Sequence, residues 1–559
     1  MPTSVFCQQY LTQTNANQFS VIDAEKSRLP PKYPFIVPYV GNSLSFAWDS
    51  AGFARRAGCY NGKLISSRVS FFGFELFIFQ DRKTIARIWK QSTLSSPISM
   101  FVYVLKYFFG LPEAVVSVYR ADNSGPLPKP YAESEVLAQD RIDYITHYGF
   151  LRALSGPGLP PTTKRYMHVL SARLDDKRFS EQWTEMEDIS AFFKDVVGSS
   201  LIECLFGPTM LQLNPRFMQD LWGFDMSVPW LARAVPSFLK PSAYKPRESC
   251  VDQLKRWYIY AREHFDSSSI DDDGDGDPFW GSNLMRYRQE NLLKVKNHDD
   301  DALARMDLGL AWGAVGNTIP CAMLSVLHIF KDPLLLQRIR KDVEDSFGDQ
   351  KLLELDPQKL NKEPLLSSVY AEVLRLYVKT YFMGRIGLMN AGISHMDDFF
   401  WNSYGDEHPI ASFWADRFII YPEDPMSGPA APHVRESADW VEPRPSDDSA
   451  TRSNKRPFFS MDGTQGSWFP YGGTFIPIRF VKYIFVGALT TDPTFQSGGH
   501  SICPGRFLAK SVILFTCALL AQQYDIEVLS DNLEFGPWRF GLGVGALKQA
   551  VPFRIRKRY

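Results

Sequence analysis

A cysteine directly before a helical pattern is the residue whose chemistry is easiest to define in this 559-residue sequence. Cys503 stands in GGHSICPGRFLAK, residues 498–510, and a helical pattern follows it. Backbone amides and the helix dipole stabilise a thiolate at such a position, and the preceding glycines let a loop press its backbone against a flat cofactor. Because buried, inert cysteines are common, this motif alone leaves a plain core residue as the alternative.

A carboxylate and a guanidinium share one face of another helical segment. Glu372 and Arg375, in SSVYAEVLRLYV, have the i, i+3 spacing that brings two side chains together. An exposed ion pair of this kind contributes little to stability, whereas the apolar neighbours here favour a buried, hydrogen-bonded pair. Arg417, in FWADRF, is the candidate third partner.

A long apolar segment, residues 303–330, lies upstream of both motifs and reads LARMDLGLAWGAVGNTIPCAMLSVLHIF. From Leu308 onward it has no formal charge at pH 7. It therefore fits either a membrane span or a helix through the middle of a large protein, and we favour the core helix. Glycine, asparagine, threonine and proline cluster between Gly313 and Pro320, where we expect them to open the backbone ladder for a ligand or water.

Composition indicates a globular chain with a large core, because 45% of the residues are hydrophobic and 22% are charged. A net charge of −1 gives no reason to expect a nucleic-acid partner. The seven cysteines are scattered and form no CxxC pair, which argues against a disulfide framework and against a zinc site. The acidic stretch 271–276 imitates half of a calcium loop, but Ser282 stands where a bidentate glutamate is needed.

The remaining patterns predict a few strands and many helices. We expect strands within 64–80, and helical patterns dominate 163–265. The apolar segment 98–119 fits a core helix, a substrate-access flap or a membrane-dipping segment, and we favour the core helix. No linker is evident, so residues 29–559 are expected to form a single domain after an N-terminal segment, 1–28, that lacks the apolar run of a membrane anchor.

The sequence resembles the cytochrome P-450 superfamily, because four motifs occur in that family's order. They are G-x-x-G-N-T in a central helix, then E-x-x-R, W-x-x-R-F and G-x-x-x-C-P-G-R. Each motif is weak alone, but the ordered set is highly specific and covers most of the chain. The details are similar to the sterol 7α-hydroxylase and prostacyclin synthase branch and its fungal members, through the stretches HYGFLRALSGPGLPP, AWGAVGNTIP, FWADRFIIYPEDPMSGP and FSMDGTQGSWFPYGG.

This resemblance implies a mainly α fold with small β-sheets, a long central helix at about 301–330 and a haem-binding loop before a C-terminal helix. The implied cofactor is haem b (iron protoporphyrin IX), with Cys503 as the axial ligand of the iron, a ligand type that favours O–O cleavage. Glu372, Arg375 and Arg417 would support the haem loop and have a structural role. The other residues implied to bind the cofactor are Tyr471, Gly499, Gly505, Arg506 and Arg385.

The resemblance also implies that the central helix supplies the catalytic positions Gly316, Asn317 and Thr318. Most of the superfamily carries an acid followed by an alcohol where Gly316 and Asn317 stand. Glycine cannot relay a proton, and an amide donates a hydrogen bond without giving up its proton. Proton delivery is therefore expected to use ordered water, Thr318 or the substrate.

Three functions remain open at this point. The first is a monooxygenase that oxidises an apolar small molecule (a sterol, a terpenoid or another fungal secondary metabolite) with O2 and electrons from an NADPH-cytochrome reductase. The second is an isomerase or dehydratase that acts on a peroxide without external electrons, and the third is a non-catalytic product of a faulty gene model. The implied location is the endoplasmic reticulum membrane surface facing the cytosol, with peripheral membrane contact, or the cytoplasm if the chain has no anchor.

The haem loop departs from the family pattern in its length. The family places an aromatic residue seven positions before the cysteine, where this chain has Gln496, yet a well-formed first half of the loop ends at Gly473. Removing residues 474–498 leaves FPYGGGHSICPGR, with Tyr471 at the aromatic position. Codons that fit a splice donor, branch site and acceptor exist for this segment. We interpret it as a translated intron, with a family-specific loop insertion as the alternative.

A second departure follows Arg375. The family has a strand hairpin there with a proline-containing turn, whereas residues 377–394, YVKTYFMGRIGLMNAGIS, contain no proline. We predict a deletion near 376–394. Arg385 is the candidate ligand of a haem propionate in this segment.

Overall fold

A computed structural model describes residues 29–558 except for a set of short gaps and one long one. The gaps are 36, 89–97, 178, 348–351, 355, 384–386, 438–439, 441–442, 444–455, 472–502, 531–532 and 537–540. The interpreted insertion 474–498 and the N-terminal segment 1–28 therefore lie outside the described residues.

The described chain is mainly helical. Its helices, in order, are α1 (Ser43–Trp48), α2 (Ser50–Ala57), α3 (Arg82–Ile88), α4 (Ile98–Tyr107), α5 (Glu113–Ala121), α6 (Ile142–Leu154), α7 (Leu159–Asp176), α8 (Ile189–Phe193), α9 (Ser199–Phe206), α10 (Pro208–Leu213), α11 (Phe217–Leu231), α12 (Pro241–His264), α13 (Asn283–Leu292), α14 (Asp300–Lys331), α15 (Pro333–Phe347), α16 (Pro357–Leu360), α17 (Pro364–Tyr377), α18 (Ala391–Ser394), α19 (Pro432–Arg435) and α20 (Arg506–Gln523). A π-helical turn, Lys194–Gly198, joins α8 to α9.

The strands are short and form small sheets. They are β1 (Cys59–Tyr60), β2 (Lys63–Leu64), β3 (Ser67–Phe71), β4 (Phe74–Ile78), β5 (Thr184–Met186), β6 (Tyr381–Met383), β7 (Gly387–Asn390), β8 (Ile419–Ile420), β9 (Phe458–Phe459), β10 (Tyr524–Val528) and β11 (Phe553–Lys557). The largest sheet has the order β3-β4-β7-β6, in which β4 and β7 are parallel. A mainly α fold with small sheets is confirmed.

Helix α14 is the central helix, and its bounds, Asp300–Lys331, agree with the predicted 301–330. Its start is fixed by Asp299, whose carboxylate accepts the Ala302 N–H at 2.8 Å, because such a cap satisfies one of the free amides of the first turn. The helix packs against α12, α17 and α20. Its apolar residues are buried on most sides, as expected for a core helix.

We expected the backbone hydrogen-bond ladder to open between Gly313 and Pro320. This expectation is wrong except for the one bond lost at Pro320, because α14 remains helical from end to end. Pro320 has no N–H and cannot donate to the Gly316 carbonyl one turn earlier. The neighbouring helices hold the segment in helical form around this one lost bond, since tertiary packing supplies most of the stability of a buried helix.

The segment in which we predict a deletion holds a short hairpin. Strands β6 and β7 pair in antiparallel register, from Tyr381 opposite Asn390 to Met383 opposite Leu388. The turn, 384–386, lies outside the described residues, and Arg385 with it. The deletion therefore stays a prediction.

Candidate functional site

Cys503 lies at the start of α20, where two distant parts of the chain meet. Its backbone N–H donates to the Tyr471 carbonyl at 3.2 Å, and α20 begins at Arg506. The end of α6 packs beneath this loop, since Ser155 Oγ donates to the Pro504 carbonyl at 3.1 Å. The structure therefore holds both ends of the haem loop in place, although residues 472–502, which include Gly499, lie outside the described residues.

The Cys503 thiol is surrounded by protein and still open on one side. Among the described cysteines it is the exposed one, whereas Cys59 is half-buried and the others are buried. Burial raises the pKa of the Cys503 thiol, while the Gly505 N–H and the Arg506 cation lower it without reversing the rise. The backbone amides at the helix start favour the thiolate as expected, but they do not offset burial. A bound metal cation would supply the missing stabilisation, because coordination deprotonates a thiol.

A pair of tyrosines lies next to this loop. The hydroxyls of Tyr370, on α17, and Tyr471 lie 2.6 Å apart, which is a short O–H···O hydrogen bond. Burial is the main cause that raises the pKa of both phenols, and the charges of Cys321 and Cys503 add to it. Since Cys321 belongs to α14, the central helix, α17 and the haem loop meet around this pair.

The predicted ion pair on α17 is a buried network of three residues. Glu372 accepts two hydrogen bonds from Arg375, at 2.7 and 2.8 Å, and one from Arg417 at 2.9 Å. All three side chains are fully buried. The two arginines also donate to backbone carbonyls of His395, Ile410 and Asn402. The network thus fastens α17 to the chain segment that leads towards the haem loop.

Sequence reasoning missed His395, which joins this network to the haem loop. Its Nδ1–H donates to the Arg375 carbonyl at 3.1 Å, and its Nε2 accepts the Phe469 N–H at 3.0 Å. Burial, with help from the Arg375 charge, lowers the pKa of His395 from 6.5 to about 3. The two hydrogen bonds fix a neutral tautomer. No pattern around this histidine signals such a role.

Two residues in the middle of α14 are exposed. Gly313 and Asn317 are exposed, whereas Val315, Gly316 and Thr318 between and beside them are buried. Their i, i+4 spacing puts both on one face of the helix. We assign this exposed face of a core helix to the candidate site as its second part, after the loop around Cys503.

A C-terminal turn holds the Asn317 amide. The Val544 N–H donates to Asn317 Oδ1 at 3.1 Å, and Val544 forms an isolated bridge with Val378 just after α17. A Cβ on Gly543, whose φ is +145°, would lie 2.3 Å from the same Oδ1. Glycine is therefore required there. Because Oδ1 accepts this hydrogen bond, the amide N–H groups of Asn317 point away from Val544.

Gly316, the residue before Asn317 on α14, faces an indole and a carboxylate. The Trp312 Nε1–H donates to Asp225 Oδ1 at 2.8 Å, and Asp225 comes from α11. A Cβ on Gly316 would lie 3.2 Å from Trp312 Nε1 and 3.6 Å from Asp225 Oδ1. Asp225 had no signal in the sequence, because nothing there links α11 to α14.

These residues fit a haem-thiolate centre. The donor set offers one open thiol, with an amide N–H and a guanidinium beside it, at the start of a helix. Within the described residues, no group of three or more histidine, cysteine or acidic side chains offers a different metal site. Cys503 would hold the iron, with Gly505, Arg506 and Tyr471 around the thiolate. A haem bound in this way supplies oxygen activation.

Comparisons with known proteins agree with this assignment. The cytochrome P450 monooxygenase fsoE of Humicola fuscoatra is 31% identical over 95% of this chain and 88% of that protein. The cytochrome P450 monooxygenase efuG of Hormonema carpetanum is 28% identical over 94% of this chain and 90% of its own. Cytochrome P450 7B1 of Mus musculus is 20% identical over 95% and 92% of the two chains.

The solved structures give the same fold. A crystal structure of the cytochrome P450 CYP102L1 matches with a TM-score of 0.56 and 12% identity, over 95% of this chain and 99% of that one. No family model matches the sequence. From its relatives, the chain belongs to the cytochrome P450 family and is an oxidoreductase of the monooxygenase type. The predicted resemblance is confirmed.

Proposed function

We propose that this protein inserts one oxygen atom of O2 into an apolar small molecule of sterol, terpenoid or related fungal secondary-metabolite type, with haem b as cofactor and electrons from an NADPH-cytochrome reductase. The observation that carries the proposal is the open Cys503 thiol at the start of α20. The monooxygenase names of the fungal relatives support the reaction class. The aromatic rings around Trp312, which include Phe108, Phe109 and Phe224, support an apolar substrate.

The chain's own residues have distinct parts in this proposal. Cys503 binds the iron, and the Glu372 network keeps the segment before the haem loop in place. The exposed face of Gly313 and Asn317 lies towards the substrate, with the Asn317 amide oriented by Val544. The aromatic rings around Trp312 exclude water from the reacting carbon, which limits side reactions.

The first prediction concerns the carbon monoxide difference spectrum of the reduced protein. We expect a thiolate-type band that disappears or shifts in Cys503→Ser, because a hydroxyl is a much poorer iron ligand than a thiolate. Cys517→Ser is the matched control, since Cys517 lies on α20, the helix that follows Cys503, and is buried. Equal spectra from wild type and Cys503→Ser contradict the assignment.

The same spectrum tests residues 474–498. Without them, six residues connect Tyr471 to Cys503, whose backbone groups are hydrogen-bonded. We therefore expect a stronger thiolate band from the form without 474–498 than from the full chain. A stronger band from the full chain contradicts the translated-intron interpretation and favours the loop insertion. Conversion of an organic peroxide substrate into its isomer or dehydration product, without NADPH and without oxidation of a second substrate, would replace the monooxygenase by the isomerase or dehydratase.

We also propose peripheral contact with the cytosolic face of the endoplasmic reticulum membrane. In the described residues, one helix, Asp300–Lys331, is long and apolar enough to span a membrane, but 67% of its most apolar window is buried. A surface feature supports contact instead. Five large apolar side chains are exposed on and around α1 and the turn between β3 and β4, and we call them the apolar patch, namely Tyr39, Leu44, Trp48, Phe72 and Phe74.

A further inference from the structure

We propose that Asp225 is the proton-relay acid of this site, supplied by α11 instead of by the central helix; this inference rests on the proposed monooxygenase function. Its carboxylate reaches the side of α14 on which Gly316 lies. Glycine at 316 leaves room for it: a side chain there would begin 3.6 Å from Asp225 Oδ1 and 3.2 Å from the Trp312 indole nitrogen. A Cβ at 316 would touch the Asp225 carboxylate at ordinary van der Waals distance, and a longer side chain would meet it and the indole.

The surroundings of Asp225 are unusual for a carboxylate. The residue is 4% exposed, and the Trp312 indole that binds it also contacts the rings of Phe109 and Phe224. Burial of a carboxylate among aromatic rings is costly unless it is hydrogen-bonded. The indole hydrogen bond fixes the position of the carboxylate beside Gly316.

Gly316 lies beside the exposed face of α14, because Gly313 is three residues before it and Asn317 is the next residue. Gly313 is exposed, and no atom lies within 4 Å of the place its Cβ would take. Asn317, one turn further, is exposed on the same face. A carboxyl group can give up a proton and take one back, whereas neither glycine nor an amide can. Asp225 thus supplies the function that Gly316 and Asn317 lack.

The protons balance in this scheme. Monooxygenation converts substrate RH, O2, NADPH and one H⁺ into ROH, water and NADP⁺, with both electrons delivered by the reductase. Asp225 would give a proton to water beside Gly316 and would take one back from solvent. The residue is unchanged after each turnover.

Asp225→Asn separates a relay from a purely structural role, because the amide oxygen can still accept the Trp312 N–H but cannot cycle a proton. We expect the NADPH-driven rate to fall at least about tenfold, with a larger solvent deuterium effect. Turnover driven by hydrogen peroxide should change little, since RH and H2O2 give ROH and water with no external proton. Asp220→Asn on the same helix, where Asp220 bonds Ser249 and Gln253, is the matched control.

Two further measurements distinguish a loss of structure in the variant from a loss of proton transfer. The ¹⁵N–¹H resonance of the Trp312 indole, identified by its loss in Trp312→Phe, should show a hydrogen-bonded indole in Asp225→Asn, and the carbon monoxide band should be unchanged. In the double variant Asp225→Ala/Gly316→Asp the acid returns to α14, and we expect the NADPH-driven rate to recover. Failure of that rescue, with a normal band, contradicts the relay.

The relay and the proposed function fail in different ways. A chain that shows the thiolate band but forms no product with NADPH and reductase refutes the proposed function. The relay is overturned if Asp225→Asn consumes NADPH as fast as wild type with the same apolar ligand. It is also overturned if the variant loses NADPH-driven and peroxide-driven turnover equally, because Asp225 would then be structural.

Discussion

The neutral imidazole of His395 links the stability of the protein to pH. Its folded-state pKa of about 3 lies below the ordinary 6.5, so the unfolded chain takes up a proton in this range before the folded chain does. Stability is therefore complete above about pH 6.5 and is lost as the pH falls towards 3.

We expect this histidine to account for about 2 kcal/mol of stability lost between about pH 7.5 and about pH 5. In His395→Gln the loss should be smaller by that amount, although the variant is less stable overall. Chemical denaturation at a series of pH values measures both. His328, whose pKa burial lowers to about 4, keeps its own contribution in the variant. The exposed His168 gives the control His168→Gln, and an unchanged slope in His395→Gln contradicts the prediction.

The residues found from the sequence have partners nearby in the chain, whereas the residues that were missed have partners far away in the chain. Glu372 and Arg375 are three positions apart, and Cys503 is marked by its flanking glycine and proline residues, so local spacing identifies them. His395 and Phe469 are 74 positions apart, and Asp225 and Trp312 are 87 apart. Such pairs are created by the packing of separate elements, and no local pattern encodes them.

At the scale of elements, α17 depends on the network around Glu372. Removing one partner of a buried ion pair leaves an uncompensated charge, which costs about 3–5 kcal/mol. Glu372→Gln is therefore expected to lower the free energy of unfolding by about that amount, as measured by chemical denaturation.

A matched control lies on α12. Asp252 and Lys255 have the same i, i+3 spacing, but their side chains are 70% and 34% exposed. Asp252→Asn should change stability by less than about 1 kcal/mol, because exposed pairs contribute little. Equal effects of the two substitutions would show that burial of the Glu372 network does not determine its contribution.

The elements were predicted well where one pattern dominates. The central helix agrees with its predicted range because its apolar residues continue on every face. Strands were expected within 64–80, and β2, β3 and β4 begin between Lys63 and Phe74. The order of the large sheet could not be predicted, because β7 pairs with β4 across more than 300 residues.

At the scale of the whole molecule, we predict that the apolar patch binds membranes. Trp48 and Phe74 are 94% and 76% exposed, so both can enter a bilayer surface without unfolding. Trp48→Ser/Phe74→Ser should weaken partitioning to phosphatidylcholine vesicles with phosphatidylserine at least about tenfold, given the free energy of burying large apolar side chains. Sedimentation with vesicles measures it.

The control for this test is Leu334→Ser, because Leu334 is 73% exposed on α15 and lies outside the patch. A loss of vesicle binding as large in this control as in the double variant would contradict the proposed surface. Wild-type protein that stays entirely in the supernatant would contradict membrane contact itself.

The backbone hydrogen bond between Tyr471 and Cys503 also determines what a break in the covalent chain would do. Because both ends of 472–502 are fixed at one point, lengthening the connection from six residues to 31 costs only about 1.5 kcal/mol of closure entropy. Helix α20 is buried against α14 and α7. Two polypeptides severed within 474–498 should consequently stay associated as a noncovalent pair, held by the same core as the intact chain.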